Sequence, residues 1–283
     1  MPELPEVQTV VDTLAPFMCG KRITYVELSR TDVVTPAGFP LTTSLQGRRI
    51  RSVERRAKRI VVTLDDQNRF YIHLGMSGRL VLGHRQDVMK RHTHLRIGLD
   101  RSDGQEIRFV DPRRFGGVWW LGQEADSDDL GPEPLTLGQA ELRKRLASTS
   151  RAVKTALLDQ RLIAGLGNIY VDESLHEARI HPQTPSSNLT RPEVARLNKA
   201  IKTTLKRALR HRGSTLRDYR DAAGDPGYFQ NLHRVYDREG EACKRCGTEI
   251  VRIVIGGRST HYCPKCQDAH PPSARKKAER DER

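Results

Sequence analysis

The chain has 283 residues and a net charge of +14, from 49 Lys and Arg against 35 Asp and Glu. That length carries two or three domains with at least one sizeable core, and the cation excess points to a polyanionic partner, nucleic acid first among them. No apolar run is long enough to span a bilayer and the start, MPELPEV, lacks an apolar signal core, so the expectation is a cytoplasmic protein with no membrane partner.

In chain order, Val7, Val10, Val11 and Leu14 recur at helical spacing, so a short amphipathic helix over 6–14 should anchor the terminus. From about 21 to 121 the pattern becomes strands. IVVTL, FYIHL, HLRIGL, EIRFV and GVWWL are β-rich runs separated by turn clusters such as DDQN and RSDGQ. Their short spacing favours antiparallel hairpins and a sandwich-like sheet. DSDDLGPEPL (126–135) reads as an acidic, Pro/Gly-containing linker. Helical patterns follow around 138–147, 151–161, 169–177 and 192–211, and GDPGYF breaks the pattern before a cysteine-rich segment. The polar, charged end, HPPSARKKAERDER, reads as disordered.

Four of the five cysteines are paired in the C-terminal region, and Cys19 stands alone. Two residues separate Cys243 from Cys246, and two separate Cys263 from Cys266, with sixteen residues between the pairs. In a reducing compartment this spacing points to one zinc rather than disulfides, with a β-hairpin between the pairs. Four thiolates close the coordination shell, so the zinc is structural, with no open position for a catalytic water. The alternative is four unrelated buried cysteines. Two basic stretches accompany this finger. RRIRSVERRAKR (48–59) holds seven basic residues and one Glu, and 191–220 holds ten basic and two acidic residues. Each is either a solvated face or a phosphate-contacting one.

QRLIAGLGNIYVDESLHEARIHP (160–182) looks like helix, tight turn, helix. Gly165 and Gly167 permit a turn with φ > 0, and Asn168 can open the next helix, whose free N–H groups can receive a phosphate. A plain αα-corner is the other reading. Finally, removal of Met1 would leave Pro2 as a free secondary amine, part of it neutral and nucleophilic at cellular pH. Its iminium with an aldehyde-level carbon has no N–H proton to lose and stays cationic. Glu3 beside it could donate a proton if burial raised its pKa. An ordinary terminal proline is the bland alternative.

MPELPEV, RRAKR, HLGMSGRL, DPRRFGG, GLGNIYVDESL, GDPGYF and the four-cysteine finger occur here in one order over roughly residues 1–269. In this the chain resembles the bacterial formamidopyrimidine-DNA glycosylases, the 8-oxoguanine-removing branch of the helix-two-turn-helix glycosylases. LPEV at the start is similar to that branch rather than to its oxidised-pyrimidine sister. The resemblance implies an α+β fold: an N-terminal β-sandwich with flanking helices (1–130), a helical domain with the two-turn motif (131–237) and a zinc-finger β-hairpin (238–269), followed by a disordered tail (270–283). It implies a monomer acting on double-stranded DNA that carries oxidised bases or abasic sites, bound in a cleft between domains. Excision would pass through a Pro2 Schiff base and strand cleavage through β,δ-elimination, with one structural zinc and no catalytic metal. The implied roles are Pro2 as nucleophile, Glu3 as the acid assisting ring opening, Lys58 as proton donor in β-elimination and Arg258 in δ-elimination. His73, His92 and Asn168 would contact the DNA backbone. Met76, Arg113 and Phe115 would fill the gap left by the flipped nucleotide, with Arg113 facing the orphaned base. Cys243, Cys246, Cys263 and Cys266 would hold the zinc. The chain departs from the family near 149, where Thr149 replaces a frequent lysine and Arg151 and Lys154 are the nearby candidates for that DNA contact.

Overall fold

The computed structural model describes residues 1–123 and 130–268. Residues 126–129 of the expected linker and the expected disordered tail, 270–283, lie outside them. The described residues form two compact units, 1–123 with 208–230, and 130–207 with 231–268.

The first unit begins with helix α1 (Leu4–Met18), in which Pro5 stands in the first turn, where its missing N–H costs nothing. Val7, Val10, Val11, Leu14 and Met18 form its buried face. After it come β1 (Ile23–Leu28), β2 (Val34–Thr35), α2 (Leu41–Leu45), β3 (Ile50–Arg56), β4 (Arg59–Leu64), β5 (Arg69–His73), β6 (Arg79–His84), β7 (Thr93–Leu99), β8 (Gln105–Val110) and β9 (Gly117–Gly122). They build a four-stranded sheet, β1-β7-β8-β6, and a five-stranded sheet, β2-β9-β5-β4-β3. All neighbours are antiparallel except β2 and β9.

Alternate residues of the strands face one shared core: Leu95, Ile97, Leu99, Ile107 and Phe109 from one sheet, Ile60, Val62, Leu64, Phe70 and Ile72 from the other. Two sheets that bury facing sides against each other make a β-sandwich, and α1 closes its margin through the same cluster. Four strands are absent from the list of β-rich runs, β1, β2, β3 and β6, and two of them, β1 and β3, carry a bulge. The register shifts between Ile23 and Tyr25 and between Ile50 and Ser52. That extra residue lets Ile23 and Val26, and likewise Ile50 and Val53, all face inward at odd separation.

Residues 208–230 join this unit with little regular structure. Gly213 N–H follows the end of the preceding helix, and Tyr219 and Ala222 enter the sandwich core. Two buried carboxylates hold the segment. Glu6 accepts the N–H of Ser214 at 2.7 Å and of Glu3 at 2.8 Å. Asp221 accepts the N–H of Ala223 at 3.0 Å and of Asp225 at 2.9 Å, and pairs with Arg212. Gly213, at φ +75°, passes so close to Glu6 that a Cβ would lie 2.5 Å from its Oε1.

The second unit holds α3 (Gln139–Ala147), α4 (Val153–Leu158), α5 (Asn168–Ala178), the first part of α6 (Arg191–Arg210), and the hairpin β10 (Val251–Ile255) and β11 (Arg258–Tyr262). The described part of the expected linker, 130–135, is not a loose connection. Gly131 N–H donates to Gln160 O, Ala164 N–H donates to Pro132 O, and a Cβ on Gly131 would sit 2.6 Å from the Leu162 carbonyl carbon. Its apparent looseness in sequence reflects prolines that suit a packed, extended segment as well as a linker. The finger packs within this unit too: Gln267 donates to Ile180 O at 2.9 Å and Arg245 to His176 O at 3.1 Å. Ahead of it, fully buried Glu173 gathers the N–H groups of Arg234, Val235 and Tyr236 at 2.9–3.0 Å. Among the described residues no helix is long and apolar enough to cross a membrane.

Glu6→Ala should leave the buried N–H groups of Glu3 and Ser214 without these acceptors, at a cost of about 2–4 kcal/mol. Urea unfolding of the isolated variant should show a lower midpoint at unchanged slope. A midpoint matching the parent would mean that Glu6 does not anchor the terminus.

Candidate active site and nucleic-acid interface

Pro2 and Glu3 are both buried, Glu3 at 3% exposure, although they lie at the chain end. Lys58 is buried as well, at 8%, in the tight turn between β3 and β4, where Ala57 takes φ +54°. Arg55 ties that turn to α1, donating to Gln8 Oε1 at 2.8 Å and to Ala57 O at 3.1 Å. The next residue, Arg59, pairs across the ladder with His73. Burial first, and the charges of Lys58 and Arg59 after it, pull the His73 imidazole down to about 4. Its Nδ1 accepts the Gly75 N–H at 3.1 Å, which fixes the ring and presents a neutral imidazole. The structure thus brings Pro2, Glu3, Lys58 and His73 onto elements that pack on one another.

Met76, Arg113 and Phe115 come from two loops that one residue joins. Asp111, with 0% exposure, accepts the Ser77 hydroxyl at 2.6 Å and the N–H groups of Gly116 at 2.8 Å and Arg113 at 3.3 Å. Its own carbonyl meets His94 Nε2 at 2.8 Å. Gly75, at φ +59°, lies against Phe115, where a Cβ would come within 2.4 Å of backbone. Only glycine fits this approach. On the loops so joined, Met76 and Phe115 are exposed at 42% and 59%, and the Arg113 guanidinium lies 5.7 Å from the Phe115 ring centroid. Such exposure of large apolar groups on rigid loops suits insertion into a stack. His92 is exposed on the β6–β7 loop, with φ +67°. Sequence reasoning missed Asp111, although its position as the acid heading DPRRFGG was the available signal.

In the second unit the turn between α4 and α5 is fastened by Gln160. Its amide donates to Leu158 O and Leu166 O at 2.9 Å, and its Oε1 accepts the Gly165 N–H at 2.9 Å. Gly165 takes φ +92°, whereas Gly167 is extended at −136° and caps α5, so only the first glycine needs the left-handed region. Asn168 opens α5. Its amide donates to Ser259 O of β11 at 3.0 Å, which places it beside Arg258, exposed at the start of that strand. Arg151 is exposed and pairs with Asp159 at 2.8 Å. Lys154 corrects the sequence expectation. It is 0% exposed, bonded to Asp172 at 2.7 Å and to Ser259 O at 2.7 Å, so it cannot reach DNA. The apolar face of α4 carries its side chain inward, a direction that its nearness in sequence to position 149 does not reveal.

The four cysteine Sγ atoms lie within 4.8 Å of one another, with Cys243–Cys266 at 4.0 Å and Cys246–Cys263 at 3.4 Å. A zinc tetrahedron with arms of ~2.3 Å has edges of about 3.8 Å, so these thiols fit one zinc ion. Burial, with the neighbouring thiols adding, pushes Cys266 up to about 12. A cation among them is what lets all four ionise together. The cluster is therefore a structural zinc site. On α6, Arg196, Lys199 and Lys206 are exposed along one side, so that basic stretch is a charged outer face.

If Lys58 and Arg59 face His73 as described, its proton is not taken up near the ordinary value of about 6.5. Since the folded value is lowered, this group's contribution to stability is complete above pH ~6.5 and is lost as pH falls toward 4. NMR of the His73 ring should show no titration from pH 8 to 5.5. A midpoint near 6.5 would contradict the arrangement.

Three family models match in chain order: the formamidopyrimidine-DNA glycosylase N-terminal domain over residues 1–118, the formamidopyrimidine-DNA glycosylase H2TH domain over 130–220, and the zinc finger found in FPG and IleRS over 240–269. The chain is 42% identical over 273 residues to the formamidopyrimidine-DNA glycosylase of Laribacter hongkongensis and 45% identical over 274 residues to that of Roseiflexus sp.. Each alignment covers 94% of this chain and 100% of the relative. Among solved structures, it superposes with TM-score 0.87 on Lactococcus lactis Fpg in complex with abasic-site DNA, and with the same score on its G226P mutant in complex with Fapy-dG DNA. Both are 33% identical, covering 95% of this chain and 100% of the other. Matched from its first residues through its finger, this chain belongs to the formamidopyrimidine-DNA glycosylase family.

Proposed function

We propose that this chain is a bifunctional glycosylase and abasic-site lyase of base-excision repair. It removes oxidised purines, 8-oxoguanine and formamidopyrimidines, from double-stranded DNA and cuts the strand by β,δ-elimination. It acts as a monomer in the bacterial cytoplasm, on the chromosome. The observation that carries this reading is the buried N-terminal pair, Pro2 and Glu3, held at the start of α1 by Glu6.

Once Met1 is removed, the Pro2 nitrogen attacks C1′ of the damaged nucleotide and the bond from C1′ to the base breaks. Glu3 protonates the ring oxygen as the sugar opens, leaving a Pro2 iminium. The cationic nitrogen acidifies C2′–H. Loss of that proton breaks the C3′–O3′ bond, and Lys58 carries protons for this step. A second elimination breaks the C5′–O5′ bond with Arg258 on the departing phosphate, and water then hydrolyses the sugar residue from Pro2. His73, as a neutral donor, and His92 contact the backbone, Asn168 and the start of α5 receive a phosphate, and Arg151 is the basic contact that stands for the frequent lysine near 149. When bound, zinc on Cys243, Cys246, Cys263 and Cys266 supplies the finger's fold.

Everting a nucleotide costs a few kcal/mol. Met76 and Phe115 offset it by filling the vacated stack, while Arg113 offers donors to the opposite base. Cytosine presents O2 and N3 acceptors there, and adenine an opposing N6 donor. The Lactococcus lactis relative has also been crystallised with DNA containing an oxidised pyrimidine, which keeps such lesions within reach as secondary substrates.

Borohydride added during turnover on an 8-oxoguanine duplex should fix the protein to cleaved DNA, and peptide mapping should place the adduct on Pro2. An adduct on a lysine with Pro2 unmodified would exclude this mechanism. Single-turnover excision should be at least about tenfold faster opposite cytosine than opposite adenine, as a base-edge mismatch of about 1–3 kcal/mol requires. Arg113→Ala should erase that preference, and a variant that keeps it would show that Arg113 does not read the base.

A further inference from the structure

Lys154 and Asp172 form an ion pair that is wholly buried, and the proposed chemistry uses neither. Lys154 on α4 is 0% exposed and Asp172 on α5 1%. Their contact, Nζ to Oδ1 at 2.7 Å, is only half of what they do. Lys154 Nζ also donates to Ser259 O at 2.7 Å, and Asp172 Oδ2 accepts the His261 N–H at 2.9 Å.

Ser259 and His261 are two apart on β11, the second strand of a two-stranded hairpin. In an antiparallel strand the carbonyl of one residue and the N–H two residues on point to the same edge. Among the described residues the edge of β11 away from β10 has no strand to pair with, and an unpaired edge must find other partners when buried. The lysine supplies the donor and the aspartate the acceptor, at the spacing of a neighbouring strand. Asn168 adds a second donor to the same Ser259 oxygen, at 3.0 Å. Sliding β11 by one residue would face the lysine with an N–H and the aspartate with a carbonyl, so the pair admits one register.

We infer that Lys154 and Asp172 are positioning residues: their ion pair docks the outer edge of the finger hairpin onto α5, and so sets Arg258 beside Asn168 to hold one phosphate. The inference rests on the roles proposed above for Arg258 and Asn168. Neither residue of the pair touches DNA. Their effect passes through the register of β11, and therefore falls on the step that needs Arg258.

The test uses the zinc-loaded full-length protein and an abasic-site duplex, on which β- and β,δ-products separate by the ends they leave. Lys154→Met/Asp172→Leu removes both edge contacts, while Lys154→Met/Asp172→Asn keeps an acceptor for His261. With zinc content retained, borohydride trapping at Pro2 should stay within about threefold of the parent in both. The ratio of δ- to β-product should fall about tenfold or more in the first and less in the second, since displacement by about an ångström can cost that much. Adding Arg258→Ala to the first variant should lower the ratio little further. A parental ratio in the zinc-loaded first variant overturns the inference. A parental ratio in Arg258→Ala alone identifies the reading of Arg258 as the error, and the inference falls with it. Equal loss of trapping and δ-product, or loss of zinc from the milder variant too, would make the pair a general folding element and also overturn a positioning role.

Discussion

A chain end frays unless something holds it, and the nucleophile proposed at this one must not fray. Here the constraint is met by the buried carboxylate of Glu6. One of its oxygens receives the N–H of Glu3 and the other the N–H of Ser214, more than two hundred residues away in sequence. The terminus is thereby fixed to the first turn of α1 and to the segment that returns from α6 into the sandwich unit. The buried face of α1 adds hydrophobic anchoring below that turn. Pro2 owes its buried, defined position to these contacts.

The same device recurs wherever irregular chain must be rigid. A loop lacks ladder partners for its N–H groups, and a buried carboxylate can accept several at once. Asp111 does this for the loops of Met76 and Phe115, Asp221 for residues 221–225, Glu173 for residues 234–236 and Asp172 for β11. Glu106 performs a related task on the four-stranded sheet, where Arg96 and Arg108 converge on it. Arg108 then reaches the His84 carbonyl, at the base of the loop that carries His92. Although most acids of this cation-rich chain lie at the surface, a few buried ones, Glu6, Asp111, Asp172, Glu173 and Asp221, organise backbone, while outer faces such as that of α6 carry cations. This division favours a polyanion at the surface without surrendering rigidity beneath it.

Zinc and hydrophobic packing divide the finger's stabilisation. Its own core is small, Val235 and Ile250 with Cys243 and Cys263. A module of that size needs a metal or a larger body to pack on. The structure offers both, with four thiols placed to hold a zinc at one end and the finger packing on α5 and the residues just after it through Arg245, the Lys154–Asp172 pair and Gln267.

Several features were settled by sequence alone. The zinc site was, because ligand spacing is local: two residues within each pair and a hairpin's length between them. So were α1, α5 and the strands with strict alternation, because a period of 3.6 or 2 marks the buried face directly. Pro2 and Glu3 were singled out only through the family resemblance of the MPELPEV start, since a proline at a chain end is by itself unremarkable; the fold adds that both are buried. The bulged strands β1 and β3 were not legible, since one inserted residue breaks their alternation near its start, whereas in β7 and β9 the extra residue sits at the end of a run that stays legible. Lys154 shows a related limit: it was a candidate because it lies near position 149 in sequence, whereas its burial depends on which way the α4 face turns. The joints at Glu6, Asp111 and Asp172 were also beyond sequence reading. Each joins backbone groups distant along the chain, and only the folded chain brings such an acceptor to its donors.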